Sequence, residues 1–308
     1  MRPIQVQNVR MSRALVLSGG GSVGIAWQSG LVVGLAEAGV ALAGADAVVG
    51  TSAGSAVGAQ LKLGRDLSDQ IARYRSGRPA RGASTGQSAG SAGGMPTAER
   101  MAKLMELMAG AEDASPEERR RLIGRFALEA DAGPEESFVA AFGYLHDAAW
   151  PAGYACTAVD AETGEFVVWQ GQDGVDLDRA VASSCAVPGL FPPITINGRR
   201  YVDGGMRSGT NADLVKGHDR VLIVTLMTGA RTAGMDPAWA ERLRKARDSE
   251  LDAIRTAGGV VDTVGPDEEA AAVLGVNLMD GSRLLEAAEA GLGQGKREAD
   301  RLRDCWAA

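Results

Sequence analysis

Histidine is scarce in this chain: His146 and His218 are the only two among 308 residues. That leaves two candidates for the base of a Ser-His-Asp triad. Cysteine is nearly as sparse. Cys156, Cys185 and Cys305 form an odd, widely separated set without metal-ligand spacing. This excludes a disulfide scaffold and reads as reduced thiols of a cytoplasmic protein. No stretch approaches the ~18 apolar residues of a membrane span. Met1 to Met11 holds no apolar core of a secretory signal. Positive charge is in deficit: 32 Lys and Arg against 39 Asp and Glu leave a net charge of −7. That balance argues against nucleic acid as a partner and against strong attraction of the whole surface to anionic membranes.

Glycine, by contrast, is abundant, with 42 residues, and two of its clusters carry chemistry. In the first, the strand-like Ala47-Val48-Val49 runs into Gly50-Thr51-Ser52-Ala53-Gly54, and a helix is expected from Ala53 towards Leu63. Gly-x-Ser-x-Gly between strand and helix is a nucleophile elbow, a sharp turn that lifts a serine hydroxyl clear of a sheet. Gly50 and Gly54 fit because the turn is crowded. The unpaired N–H groups and dipole of the following helix face the place where negative charge develops. The pattern suggests acyl transfer with Ser52 as nucleophile. Its bland alternative is a tight strand–helix turn.

In the second cluster, the strand Ala14 to Leu17 leads into Ser18-Gly19-Gly20-Gly21-Ser22-Val23-Gly24, with a helix expected from about Ile25 to Ala38 and closed by Gly39. Consecutive glycines can aim several N–H groups at one anion or oxyanion. Gly19 to Gly24 also fits the dinucleotide fingerprint G-x-G-x-x-G. That fingerprint wants an acid at the end of the second strand, whereas Asp46 stands at its start and the serine elbow at its end. Two glycine turns after successive parallel strands lie side by side. One would supply the nucleophile and the other the oxyanion hole.

For the base, His146 falls at an expected helix end and His218 in a polar turn before the strand Val221 to Leu226. Asp203 is the stronger candidate. It ends the strand of a hairpin, Ile194 to Val202, whose turn is Asn197-Gly198, and is followed by Gly204-Gly205. Two glycines let a carboxylate approach a hydroxyl closely. Burial there would raise its pKa from about 3.9 and strengthen it as a base. The alternative is a plain Asp-Gly turn.

With these pieces in order, the chain resembles the patatin-like phospholipases. The resemblance rests on Gly19-Gly20-Gly21, the elbow Gly50 to Gly54 and Asp203-Gly204-Gly205. A fourth run, Ala182-Ser183-Ser184-Cys185-Ala186-Val187-Pro188-Gly189-Leu190-Phe191-Pro192-Pro193, is similar to one that precedes the family's aspartate. It covers roughly Arg13 to Leu226. It implies a three-layer α/β/α sandwich with a mostly parallel central sheet, Ser52 as nucleophile and Asp203 as its base. Gly19, Gly20 and Gly21 with Ser22 would form the oxyanion loop, the amides of Gly20 and Gly21 being the donors. It implies a lipid acyl ester as substrate, transient contact with a membrane surface, and no metal or organic cofactor. Asn211 is placed for a supporting hydrogen bond, as in the family's comparable loop. One departure is Val23, where many members carry Arg or Lys; the missing charge removes an anchor for a phosphate. Two rivals stand beside this reading: a nucleotide-binding protein using Gly19 to Gly24, and a non-catalytic lipid-binding member of the fold.

Alternation of short apolar strands with amphipathic stretches independently supports an α/β chain. Residues 1–12 read as an extension before a domain over 13–308. Residues 76–96, rich in Gly, Ala and Ser, read as a flexible loop. A helical insertion over 97–150 follows. It holds a methionine-rich helix after Thr97, a helix capped by Ser115-Pro116-Glu117-Glu118 and another near Pro134. Beside a lipase-like site this insertion could act as a lid or an acyl-chain groove. Strands are expected over 153–159, 165–169 and 260–264, a helix from Pro237 to about Ala257, and short helices to the end.

Overall fold

Runs of aliphatic residues without polar alternation, such as Leu15-Val16-Leu17 and Val221-Leu222-Ile223, suit strands covered on both faces. The computed structural model describes residues 11–77, 95, 97–110, 114–227 and 237–306, and in it these runs are the centre of one sheet. Its strands are β1 (Arg13–Leu17), β2 (Ala47–Gly50), β3 (Tyr154–Asp160), β4 (Phe166–Trp169), β5 (Ile194–Ile196), β6 (Arg199–Asp203), β7 (Arg220–Val224) and β8 (Val260–Val264). The order is β5-β6-β3-β2-β1-β7-β8, with β4 paired to β3. Neighbours from β3 through β8 in that order are parallel, and the β3–β4, β3–β6 and β5–β6 pairs are antiparallel. The β5–β6 hairpin turns at Asn197 and Gly198, both with positive φ, as its sequence demands.

The helices are α1 (Gly21–Glu37), α2 (Ala53–Lys62), α3 (Ser68–Arg75), α4 (Thr97–Ala109), α5 (Pro116–Glu129), α6 (Glu135–Val139), α7 (Leu177–Ser184), α8 (Pro237–Thr256), α9 (Glu268–Leu274) and α10 (Leu284–Trp306). One sheet face packs Leu15, Leu17 and Leu222 with Trp27 of α1 and Ala56 of α2. The other packs Val16, Val49 and Ile223 with Ile254 of α8. The result is the expected three-layer α/β/α sandwich with a mostly parallel sheet. Among the described residues no helix is long and apolar enough to cross a membrane.

β3 positions the site. Its first half pairs with β2, Gly50 standing opposite Cys156, and its second half with β6, Asp203 standing opposite Ala158. β4 overlaps both partners along β3, from Cys156 to Val159, and so occupies the opposite edge. β2 and β6 therefore share one edge and end towards each other.

Two elements differ from expectation. α1 begins at Gly21 instead of Ile25, because the Gly24 N–H already donates to the Gly20 carbonyl at 2.8 Å. The last helix is one element of 23 residues, not several short ones. The glycines within it meet α1 backbone to backbone: a Cβ on Gly291 would lie 2.2 Å from the Trp27 carbonyl oxygen, and one on Gly30 would lie 2.0 Å from that of Ala288. α3 was not anticipated. The capping box of α5 is formed, Ser115 and Glu118 each accepting from the other's backbone N–H. The proposed extension, apart from Met11 and Ser12, and nearly all of 76–96 lie outside the described residues.

Candidate active site

β2 ends at Gly50 and α2 begins at Ala53, so Thr51 and Ser52 must turn the chain in two residues. Ser52 does so at φ 53°, ψ −121°, a conformation that costs a residue with a Cβ about 1–3 kcal/mol. The start of α2 presses onto the end of β1: a Cβ on Gly54 would sit 2.0 Å from the Leu17 carbonyl oxygen. Ser52 is buried to 7% exposure.

Asp203 closes β6 at 2% exposure. Its N–H donates to the Ala186 carbonyl at 3.0 Å and its Oδ1 accepts from the Gly205 N–H at 2.7 Å. The Ser52 side chain lies near enough to act on this carboxyl, pulling its pKa down. Burial pushes the carboxyl pKa up to about 7, against the smaller opposing pull of the Ser52 side chain and the Gly205 N–H. Gly204 is required next to it, since a Cβ there would lie 2.2 Å from Thr157 Oγ1.

The glycine loop lies against the serine: a Cβ on Gly19 would be 3.4 Å from the Ser52 Cβ. The Gly19 N–H is taken by the Gly209 carbonyl at 2.9 Å, so Gly19 shapes the loop without offering its own donor. The Val23 N–H is likewise taken by the Leu278 carbonyl at 3.0 Å. Between them the amides of Gly20, Gly21 and Ser22 have no partner among the described residues, as the first turn of a helix requires. The amide of Ala53, first residue of α2, is free in the same sense. Sequence reasoning did not single it out, although a free N–H after the nucleophile is inherent in an elbow that starts a helix. No group of three or more His, Cys, Asp or Glu among the described residues could hold a metal ion.

The patatin-like phospholipase profile matches residues 15–216 of this geometry. The chain belongs to the patatin-like phospholipase family. Among solved structures it is similar to VipD from Legionella pneumophila, at 14% identity and a TM-score of 0.45, covering 94% of this chain and 67% of that one. It is also similar to the type III effector protein ExoU, at 18% identity and a TM-score of 0.37, covering 94% of this chain and 53% of that one. ExoU of Pseudomonas aeruginosa in complex with SpcU gives 16% identity, a TM-score of 0.39, and coverage of 97% and 53%. The chain thus spans about half the length of these ExoU chains. No curated protein matches it.

Around this patatin-like site a narrow cleft of ≈ 20 Å³ opens onto Ser52. Its walls include Ile25, Phe138, Phe142, Phe191 and Met279. Phe138 stacks on Phe191 at 4.4 Å and meets Phe142 edge-on at 5.4 Å. Phe138 belongs to α6 and Phe142 to the 3-10 turn after it, so the segment between β2 and β3 supplies much of the apolar wall. The sequence pointed to the methionines of α4 instead.

The remaining candidates fall elsewhere. His146 is exposed and bonds Asp178 Oδ2 through Nδ1 at 3.0 Å. His218 bonds the Val215 carbonyl and lines a second cavity at the opposite end of β2, with Ala47 and Gly153. Neither imidazole has a bond to Ser52 or Asp203. Val23 is fully buried in the core, so its side chain faces the interior and not the cleft. Asp46 accepts from the Arg13 N–H at 2.8 Å, at the start of β1 and away from the glycine loop. Asp46 is therefore not placed to serve as a dinucleotide's acid beside that loop. Asn211 braces both the elbow and the turn after the aspartate: its Nδ2 donates to Thr51 Oγ1 at 3.0 Å and to the Gly204 carbonyl at 3.3 Å, and Arg207 donates to its Oδ1 at 2.8 Å.

Proposed function

We propose that this chain is a lipid acyl hydrolase that cleaves a carboxylic ester of a phospholipid or related acyl lipid through a Ser52–Asp203 dyad. The observation that supports this reading is a buried carboxyl next to the serine of a strained elbow, beside a turn whose amides have no partner among the described residues. As Ser52 Oγ attacks the ester carbonyl, Asp203 accepts its proton. The oxyanion is met by the amides of Gly20, Gly21 and Ser22 together with that of Ala53, each worth about 3 kcal/mol to the transition state. The C–O bond to the alcohol breaks, and the alcohol leaves with the proton from Asp203. Water then attacks the acyl-serine while Asp203 takes its proton; the bond to Ser52 Oγ breaks, Asp203 returns the proton to that oxygen, and the fatty acid departs. The chemistry uses the chain's own groups.

The apolar character of the cleft walls, not its size, supports an acyl chain as the part of the substrate next to Ser52, and the walls must part to admit it. In this reading residues 13–308 form one hydrolase domain, and the insertion over 97–150 serves as acyl groove. Contact with lipid aggregates is transient. Buried free thiols at Cys156 and Cys185 fit a reducing, cytoplasmic setting.

The test is fatty-acid release from phosphatidylcholine, lysophosphatidylcholine and monoacylglycerol, with Ser52→Ala as control. Release by the wild type and none by the variant is the expected result. Fatty-acid binding with no release from any ester would replace this reading with a non-catalytic lipid-binding protein.

A further inference from the structure

Three consecutive residues at the end of α7 touch the backbone of both Ser52 and Asp203. The Ser52 N–H donates to Ser184 Oγ at 3.0 Å. The Cys185 thiol donates to the Ser52 carbonyl at 3.1 Å. The Ala186 carbonyl accepts the Asp203 N–H at 3.0 Å. All three residues are buried. α7 itself is tied to the sheet, since Ser183 Oγ accepts from Trp169 Nε1 of β4 at 3.1 Å.

The arrangement has a mechanical consequence. Rotation about φ moves the N–H of a residue and rotation about ψ moves its C=O. Gripping both groups of Ser52 therefore fixes both angles of a residue that ordinary sterics would drive out of φ 53°. The Ser52 N–H precedes the first turn of α2 and has no helical acceptor, so without Ser184 it would be a buried orphan. Ser55 Oγ adds a further bond to the Ser52 carbonyl at 2.6 Å and lies 3.5 Å from the Cys185 sulfur. Burial pushes the Cys185 thiol well above its ordinary range, which keeps it protonated and able to donate.

We infer that Ser184-Cys185-Ala186 is a positioning element that holds the nucleophile's backbone in its strained conformation and ties it to the backbone of the aspartate. Its effect on turnover rests on the hydrolase reading above; its effect on the conformation of Ser52 does not. The residues act through Ser52 and Asp203 and touch no reacting atom.

The experiment compares Ser184→Ala, Cys185→Ala and the double variant with Ser184→Thr and Cys185→Ser, which keep an acceptor and a donor. Two quantities are read: the ¹³Cα and ¹⁵N shifts of Ser52, which report its φ, and kcat and KM on an ester that the wild type cleaves. Each alanine variant is expected to shift the Ser52 signals. Each should also lower kcat about tenfold, the size of one lost positioning hydrogen bond, with KM changed by less than about twofold. Cys185→Ser and Ser184→Thr should recover most of the loss. Should Ser184→Ala not fold, the Cys185→Ala and Cys185→Ser pair gives the same comparison. Unmoved Ser52 signals in the alanine variants would overturn the inference, as would an unchanged kcat. A wild type that hydrolyses nothing would defeat the hydrolase reading alone, and the Ser52 signals would still decide this one.

Discussion

Gly50 and Asp203 stand two positions apart on one edge of β3, Gly50 opposite Cys156 and Asp203 opposite Ala158. Because β2 runs parallel to β3 and β6 antiparallel, the two strands end face to face. The serine just past Gly50 and the aspartate at the end of β6 thus meet through backbone register. No long loop has to carry either one.

The first prediction concerns rate against pH. A base must be ionised to accept a proton, and the Asp203 pKa of about 7 means that the carboxyl is largely neutral in acid. kcat/KM should rise with pH and level off above an apparent pKa near 7. In Asp203→Asn this limb should vanish from a much lower rate. A pH–rate profile of both proteins checks it.

The same shift predicts stability. The folded pKa of Asp203 is raised from 3.8 to about 7, so its contribution to stability is fully present below 3.8 and is lost as pH rises through about 7. The loss is on the order of 4 kcal/mol. Asp203→Asn has no charge to bury. Its Tm should exceed that of the wild type at pH 8 and match it near pH 4, as read by thermal unfolding at both values.

Strain at Ser52 predicts an effect that no contact list contains. Ser52→Ala keeps the Cβ at positive φ, whereas Ser52→Gly removes it. The glycine variant should be the more stable of the two by about 1 kcal/mol after the entropy of its unfolded chain is counted. Denaturant unfolding of both inactive variants measures the difference.

The contact between α1 and α10 predicts contrasting glycine substitutions. A Cβ on Gly30 would lie 2.0 Å from the Ala288 carbonyl oxygen, while one on Gly39 would meet nothing within 4 Å. Gly30→Ala should force the helices apart and cost roughly 3 kcal/mol or more. Gly39→Ala carries only the conformational cost of φ +87°, about 1 kcal/mol. Urea midpoints separate the two.

What could be read from the residues alone follows from how local each constraint is. Gly54 and Asn197-Gly198 announce their turns because positive φ and close approach are short-range demands. The strands of β1 and β7 show as unbroken apolar runs. α10 was misread because Gly291 and Gly295 look like helix breakers until α1 is laid against them. Likewise, nothing near Gly19 says that its amide is taken by Gly209. Ser184 and Cys185 stood inside a recognised run, yet their bonds to Ser52 depend on where α7 docks. Phe138 and Phe142 gave no local sign that they wall the cleft, since only the packing of α6 against Phe191 brings them there.

The proposed chemistry stands or falls with Ser52 as an activated nucleophile and Asp203 as its base. The most direct measurement is covalent labelling by a fluorophosphonate, with the modified peptide identified by mass spectrometry in wild type, Ser52→Ala and Asp203→Asn. One adduct is expected, on Ser52, absent from the serine variant and formed far more slowly in the asparagine variant. Labelling at another residue, or equal labelling of Ser52 in wild type and Asp203→Asn, would contradict it.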